Sequence, residues 1–461
     1  MNILYIGSGF VGACSAAVSA DSGHRVVVYD VDQVKINKLR TDDRDEIKSC
    51  LFEEGLPDLI IRNRERIEFT TDYAKVESFL DSVDAVFMCL PTPEIGETGE
   101  SDLSYYISAA ERLAGSLSKR NNGAQTTYVV IVNKSTVPIA MIDRTKEIMD
   151  AHGVIAYGVV SNPEFLVEGK AIQGSLHPDR VVVGARSEKD FEVMRTIYRR
   201  FYDSSAIEYI EVGPEEASAG KLLANFYLFN KLAVCFDIIG RTCEAFPNLN
   251  FEHIRSILVS DPRIGSWGLY DSLYAGGSCF VKDARSLAHQ LEEQGKNAVL
   301  VRETYHANRR QLELFLERSK TDAGFEWEGA SVTVLGVAFK QDTNDVRNSP
   351  SIDIVRFLLD QGVRSITLYD PVAMDMFQNL FAPDQVIQYA TQLDEAIGHA
   401  DAVIVATDWP QFRGIADTLL TNSKKSLIMD GRRMLQHAYS DLVAVGFSII
   451  AVGSPYMHSS N

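Results

Sequence analysis

The chain has 461 residues, enough at about 150 residues per domain for two to four domains and too many for a single small module. With 46% hydrophobic, 9% aromatic and 23% charged residues it has the composition of an ordinary globular protein that can bury large cores, which excludes a disordered or fibrous chain. Against 63 aspartates and glutamates stand 45 lysines and arginines, a net charge of −18, so the long-range field repels nucleic acid and anionic membrane and an anionic ligand needs locally focused cations.

The N-terminal stretch Met1-Asn2-Ile3-Leu4-Tyr5-Ile6 has no basic leader and runs straight into Gly7, so it reads as a first strand and not as a signal peptide. No run reaches the roughly 18 apolar residues of a membrane span. The six cysteines (Cys14, Cys50, Cys89, Cys235, Cys243, Cys279) include no CxxC pair, so neither a disulfide framework nor a metal site is expected, and the cytoplasm is the default compartment.

In chain order, Ile3-Leu4-Tyr5-Ile6-Gly7, Arg25-Val26-Val27-Val28-Tyr29-Asp30 and Asp84-Ala85-Val86-Phe87-Met88-Cys89-Leu90-Pro91 are continuous apolar strands separated by helical stretches. The pattern returns in Val332-Thr333-Val334-Leu335-Gly336, a helix over about 351–361, Ser365-Ile366-Thr367-Leu368-Tyr369-Asp370, and Asp401-Ala402-Val403-Ile404-Val405-Ala406-Thr407. Apolar strands alternating with helices mark parallel sheets covered on both faces. The expected fold class is therefore α/β, with two Rossmann-like doubly wound parallel-sheet domains joined by a long central helix. The boundaries expected are 1–213 for the first sheet domain, 214–317 for a helical centre and 318–461 for the second sheet domain.

The central helix is predicted over 215–244, where Leu222, Leu223, Phe226, Phe229, Leu232 and Ala233 fall at helical spacings. It reads either as a bridge that pairs with a second subunit or as a buried core helix. The charged segment 318–328, which contains Gly324, is predicted as a linker, and the polar tail 454–461 as loose.

Gly7-Ser8-Gly9-Phe10-Val11-Gly12 fits GxGxxG after a strand and before a helix, and Asp30 closes the next strand. Glycines there admit a pyrophosphate to the helix N-terminus, and an acidic residue binds both ribose hydroxyls, which favours NAD over NADP. Lys35 weakens that exclusion slightly. In the second half Gly336 is followed by Val337-Ala338-Phe339-Lys340 without further fingerprint glycines, so that domain is expected to bind a different ligand, with Lys340 and Arg347 in the loop at its strand ends. Gly276-Gly277-Ser278-Cys279-Phe280-Val281-Lys282-Asp283 carries two glycines that allow a close approach of backbone to ligand, then a thiol followed within a helical turn by a cation and a carboxylate. Cys279 reads as a nucleophile or as a small buried hydrophobe, and the other five cysteines as buried or inert.

With Asn133-Lys134-Ser135-Thr136-Val137-Pro138, Asn162-Pro163-Glu164-Phe165-Leu166, Asp261-Pro262-Arg263-Ile264-Gly265 and Asp430-Gly431-Arg432-Arg433 added, the chain resembles, over nearly its whole length, the nucleotide-sugar 6-dehydrogenases, and within them the UDP-glucose branch. The resemblance implies a four-electron oxidation of a sugar CH2OH to a carboxylate with two NAD⁺ and no metal, in a homodimer or higher homo-oligomer. It makes Cys279 the covalent nucleophile, Lys221 and Asn225 the pair that stabilises the oxyanion, Thr136 and Asp283 holders of the catalytic water, and Glu164 the acid/base residue. It assigns cofactor contacts to Gly7, Gly9, Phe10, Val11, Gly12, Asp30, Lys35, Pro91, Thr92, Ser135, Thr136, Glu168, Lys282 and Arg347. The substrate side is implied for Glu164, Phe165, Leu166, Glu168, Lys221, Asn225, Arg263 (reaching a neighbouring subunit), Tyr270, Tyr274, Gly276, Phe339, Lys340 and Arg432. Asp271-Ser272-Leu273-Tyr274-Ala275 departs from the family's Pro-Gly-x-Gly-aromatic pattern and Val281 from its usual proline, which leaves GDP-mannose or a UDP-N-acetyl-hexosamine as alternatives to UDP-glucose. A two-electron 3-hydroxyacid dehydrogenase would leave Cys279 and the last domain without a role, and a non-catalytic NAD sensor would retain catalytic residues without a use.

Overall fold

Runs of Val, Ile and Leu without polar alternation become strands buried on both faces, as in β1 (Asn2–Ile6) and β2 (Arg25–Tyr29), where Ile3, Leu4, Tyr5, Val26, Val27 and Val28 are all buried. The computed structural model describes residues 1–120, 127–270 and 272–459 and divides the chain into two units, Met1–Ala224 and Asn225–Asn461.

In the first unit, β1 and β2 are joined by β3 (Ile67–Thr70), β4 (Ala85–Met88), β5 (Val129–Asn133), β6 (Tyr157–Ser161), β7 (Arg180–Gly184) and β8 (Glu208–Val212), in the order β3-β2-β1-β4-β5-β6-β7-β8. All neighbours run parallel except β6 and β7, which meet antiparallel at Ser161 and Gly184. The first six strands follow the dinucleotide-binding order, with its reversal between β1 and β4. Two apolar layers cover the sheet, one with Val28, Ile36, Leu39 and Phe69, the other with Val27, Val76, Phe79 and Leu113. The β7–β8 extension was not anticipated from the sequence, because Glu208 and Glu211 break the apolar run of β8.

The second unit holds β9 (Ser331–Leu335), β10 (Ser365–Tyr369), β11 (Ile387–Tyr389), β12 (Ala402–Val405), β13 (Leu427–Asp430) and β14 (Ser448–Ala451). Their order, β11-β10-β9-β12-β13-β14, all parallel, repeats the order of the first six strands of the other sheet. Two Rossmann-like sheets are thus present, as the alternating pattern predicts. A helical cluster in the same unit packs Phe229, Leu232, Phe236, Cys243 and Phe251 against Ala284 and Leu287.

The long helix is continuous over 32 residues, from Pro214 to Ala245, with Pro at its first position and a π-helical turn at Cys235–Gly240. By length and mean hydropathy it would suffice to cross a membrane, which corrects the reading that no segment does; Lys231 and Asp237 interrupt it, bonded to Ile264 O and paired with Arg241 and Arg310. Leu222, Phe229, Leu232 and Ala233 are buried as the spacing predicts, whereas Leu223 is exposed together with Tyr227, Val234 and Ile238.

Segment 318–328 joins the helix Val299–Thr321 to β9, and it is packed: Arg318 is buried between Glu244 and Asp322, and the indole of Trp327 is buried and donates to Ser319 Oγ. One further expectation is corrected. The tail is not loose over its described part, since Met457 pairs with Ile449 and Arg318 donates to Ser454 O. Asp271 of the departing loop lies outside the described residues.

Candidate active site

In the first unit, the predicted cofactor residues Gly7, Asp30, Pro91, Thr92, Ser135 and Thr136 follow the carboxyl ends of β1, β2, β4 and β5, beside the reversal in strand order. Gly7 has φ +100°, and a Cβ there would stand 2.1 Å from Cys89 O; one on Gly12 would stand 2.0 Å from Gly7 O. Both glycines are required by the tight turn itself. Gly9 is different, because a Cβ on it would meet nothing within 4 Å, so the space over the N-terminus of the helix Phe10–Asp21 is open. Phe10 and Val11 begin that helix, whose first N–H groups have no side-chain cap.

Asp30 Oδ2 accepts from Ser8 N and Ser8 Oγ, both at 2.7 Å, and Oδ1 accepts from Asp32 N at 3.0 Å. Burial opposes its charge, but these donors and Lys35 outweigh that and hold the carboxyl below its ordinary range. Lys35 Nζ is shared between Asp30 and Asp32, at 3.7 and 3.8 Å. The residues present therefore fit NAD: an open helix N-terminus for the pyrophosphate and an ionised carboxylate at the end of β2.

The loops beyond β4 and β5 are stitched together, Ser135 Oγ donating to Leu90 O and Thr92 Oγ1 to Thr136 O; Pro91 is exposed. After β6, Glu164 Oε2 accepts from Leu166 N at 2.5 Å while Oε1 lies 3.6 Å from Lys221 Nζ. Lys221 is buried, and its ammonium stands 5.1 Å from the Phe165 ring, over which Arg180 also lies. Glu168 and Leu166 are half-buried on the same turn. Three residues here carried no role in the sequence reading. Glu53 is fully buried and accepts from Gly169 N and Ala171 N; Lys134 and Asn162 form a buried pair. A polar or charged side chain carries no local sign of whether other parts of the chain will cover it.

In the second unit, Cys279 is exposed and stands immediately before the helix Phe280–Glu293, where the helix field favours negative charge. Its carbonyl accepts from Asp283 N at 2.8 Å, and Ser278 Oγ lies 3.7 Å from Sγ. Of the other thiols, four are buried and Cys50 is half-buried. Asp283 is buried beneath this turn: Asn225 Nδ2 donates to its Oδ2 at 2.6 Å and Lys282 Nζ to its Oδ1 at 2.8 Å. Lys282, assigned to the cofactor, is thus an ion-pair partner of Asp283.

The glycine pair before the thiol admits protein, not open space. A Cβ on Gly276 would stand 2.5 Å from Asn348 O and one on Gly277 2.9 Å from the Phe339 ring. Asn348 Nδ2 donates to Gly277 O and Gly277 N to Arg347 O, which clamps the thiol segment to the loop after β9. Lys340 lies beside the Phe339 ring. Arg347, assigned to the cofactor, has an exposed side chain held bidentately by Asp345. Arg432 donates to Ser272 Oγ and pairs with Asp408, each at 2.6 Å. Tyr274, expected on the substrate side, is buried in the core and donates to Asp353, and Tyr270 is exposed beside Trp267. Arg263 projects from the surface, 88% exposed along its side chain and paired with Asp261.

The second sheet also ends its second strand with an aspartate, Asp370, but this one is turned inward. Its oxygens accept from Val337 N, Ala338 N, Val372 N, Ala373 N and Trp409 Nε1. No ribose could reach such a carboxylate, in keeping with a different ligand for this sheet. Among the described residues no group of three or more His, Cys, Asp or Glu is placed to hold a metal.

Residues 1–202, 215–310 and 333–437 match, in turn, the NAD binding, central and UDP binding domains of the UDP-glucose/GDP-mannose dehydrogenase family. The chain is 32% identical to a UDP-glucose 6-dehydrogenase of Pseudomonas aeruginosa, over 99% of this chain and 98% of that one. It is 33% identical to a UDP-glucose 6-dehydrogenase of Haloferax volcanii, over 94% and 97%. A solved UDP-glucose dehydrogenase from Pyrobaculum islandicum superposes with a TM-score of 0.84 at 27% identity, covering 94% of this chain and 95% of its own.

Proposed function

Because the chain belongs to the UDP-glucose/GDP-mannose dehydrogenase family, we propose that it oxidises the 6-CH2OH of UDP-glucose to the carboxylate, with two NAD⁺ reduced and one water consumed. The observation that carries this reading is Cys279: an exposed thiol at the start of a 14-residue helix, with a buried, doubly bonded carboxylate one turn on.

Bound NAD⁺ supplies the hydride acceptor for each oxidation. Lys221 is the donor that stabilises the alcohol oxygen as it loses its proton, and its pairing with Glu164 fixes where its ammonium stands. Once the aldehyde exists, the Cys279 thiolate adds to its carbon, and the carbonyl oxygen takes a proton to give a thiohemiacetal. Loss of hydride from that carbon and of the hydroxyl proton leaves a thioester. Water, deprotonated by a carboxylate, adds to the thioester carbon; the C–S bond breaks and the thiolate is regenerated. In this reading Glu164 moves the proton, Asp283 and Thr136 orient the water, and Asn225 orients Asp283.

The three-part division at 213/214 and 317/318 belongs to the same reading: cofactor on the first sheet, thiol in the helical centre, nucleotide on the second sheet. So does a homodimer, supported by the exposed row Leu223, Tyr227, Val234 and Ile238 along one helix. Six free cysteines suit the cytoplasm.

The test is stoichiometry across a panel of UDP-glucose, GDP-mannose and UDP-N-acetyl sugars. Two NADH per UDP-glucose is the expected result; one NADH places the chain with two-electron dehydrogenases, and turnover of another sugar alone reassigns the substrate.

A further inference from the structure

We propose that Lys134 is a positioning residue for Glu164: its buried ammonium clamps the turn Asn162-Pro163-Glu164 to the end of β5 and ties the order of that turn to the lysine's own protonation. The proposal rests on the acid/base reading of Glu164 given above.

Lys134 directly follows β5 and is 7% exposed. Its Nζ donates to Asn162 Oδ1 at 3.0 Å and to the Tyr198 hydroxyl at 3.5 Å. Tyr198 donates to the same Asn162 oxygen at 2.5 Å, Asn162 Nδ2 donates to Val182 O at 2.7 Å, and Asn162 N donates to Asn133 O at 3.0 Å. Asn162 is therefore held by backbone and by both ends of its side chain. Pro163, with its restricted φ, then passes that placement directly to Glu164.

Among the described residues no carboxylate lies within ion-pair distance of this ammonium, so its charge is supported by hydrogen bonds and by the more distant Glu164. The groups that face it are Glu164, Cys89 and Tyr198. Burial pushes the Cys89 thiol up to about 12 and the Tyr198 phenol further still, so neither changes charge near neutrality. Burial acts on Lys134 in the opposite direction, lowering it to about 8 against the attraction of Glu164. Above that pH the charge-assisted bond to Asn162 weakens to a bond between neutral groups, and the turn loosens.

Hydrogen exchange read by mass spectrometry on the peptide that carries residues 159–168 tests the clamp without reference to activity. In the wild type, protection corrected for the intrinsic exchange rate should fall about tenfold as pH rises through about 8, while peptides of β1 keep theirs. In Lys134→Met the protection should already be low at neutral pH, with kcat for UDP-glucose down about tenfold or more and KM within about threefold. Should that variant fail to fold, Tyr198→Phe serves: loss of one acceptor disfavours the ammonium, so the fall should move to lower pH by about half a unit or more. Wild-type protection that does not change across this range, or does not move in Tyr198→Phe, overturns the proposal. Protection behaving as described in a protein that releases no NADH from UDP-glucose upholds the clamp and overturns the functional reading alone.

Discussion

Asn225 Nδ2 lies 2.6 Å from Asp283 Oδ2, so a helix residue 58 positions upstream fixes the carboxylate one turn beyond the thiol. Because the carboxylate is buried, removing this donor leaves it, among the described residues, with Lys282 as its side-chain partner. Asn225→Ala should lower kcat about a hundredfold. Asp283→Asn should lower it at least as far, and the double variant should be little worse than the poorer single one, because the two residues act as a unit. Losses that multiply would show that they act independently.

Cys279→Ser should abolish steady turnover, because an unactivated hydroxyl attacks an aldehyde poorly and gives an ester harder to hydrolyse than a thioester. Mass spectrometry of that variant after incubation with UDP-glucose and NAD should show an adduct on the peptide that carries position 279. Retention of more than about a tenth of wild-type turnover, a loss under about 1.4 kcal/mol, would sink the covalent mechanism.

Asp30 and Asp370 occupy matching places at the ends of β2 and β10, yet only Asp30 has its carboxylate at the rim. Asp30→Ala should raise KM for NAD about tenfold or more and narrow the preference over NADP, since it removes both the ribose acceptor and the repulsion of a 2′-phosphate. Asp370→Ala should instead strip five donors of their partner and lower the melting temperature. An unchanged NAD/NADP ratio in Asp30→Ala would contradict the first assignment.

Arg263 has a side chain 88% exposed and paired with Asp261, and in the proposed reading it serves a neighbour's site. Mixing inactive Cys279→Ala with inactive Arg263→Ala should restore activity in mixed dimers, up to about a quarter of wild type when one intact site forms per mixed dimer and half the dimers are mixed. Complete absence of recovery would make each site self-contained.

Acid should loosen the second unit through Asp408. Burial opposes its charge, but the Arg432 guanidinium and Gln341 N outweigh that and hold the carboxyl below its usual range. A depressed folded value means that the contribution is complete above the unfolded value of about 4 and is lost as pH falls through the lower folded value. Denaturant melts of Asp408→Asn should show lower stability at pH 7 and a shallower decline below about pH 4 than wild type. Parallel declines would remove Asp408 from the acid response.

What the chain alone determined is what short-range sterics and burial pattern dictate. Continuous apolar runs such as Val26 to Val28 specify strands covered on both faces, and the repeat of that rhythm specifies two such sheets. The turn at Gly7 was legible because only glycine tolerates its φ and the carbonyl of Cys89 against it. Cys279 stood out because a thiol followed within a turn by Lys282 and Asp283 is a local pattern, but only the fold decided that it is exposed and not a buried hydrophobe.

Only the tertiary structure decided which polar groups are withdrawn from water and what fills each glycine's missing Cβ. Gly276 and Gly277 read as room for a ligand, and Phe339 and Asn348, more than sixty residues later, take that room. Segment 318–328 reads as a charged linker, yet Arg318 meets Glu244 and Trp327 enters the core. Glu53, Lys134 and Asp370 look in the sequence like any surface charge, and become fixed anchors only because other elements fold over them and supply their hydrogen-bond partners. Desolvation is a property of the surroundings, and those surroundings are brought together from distant parts of the chain.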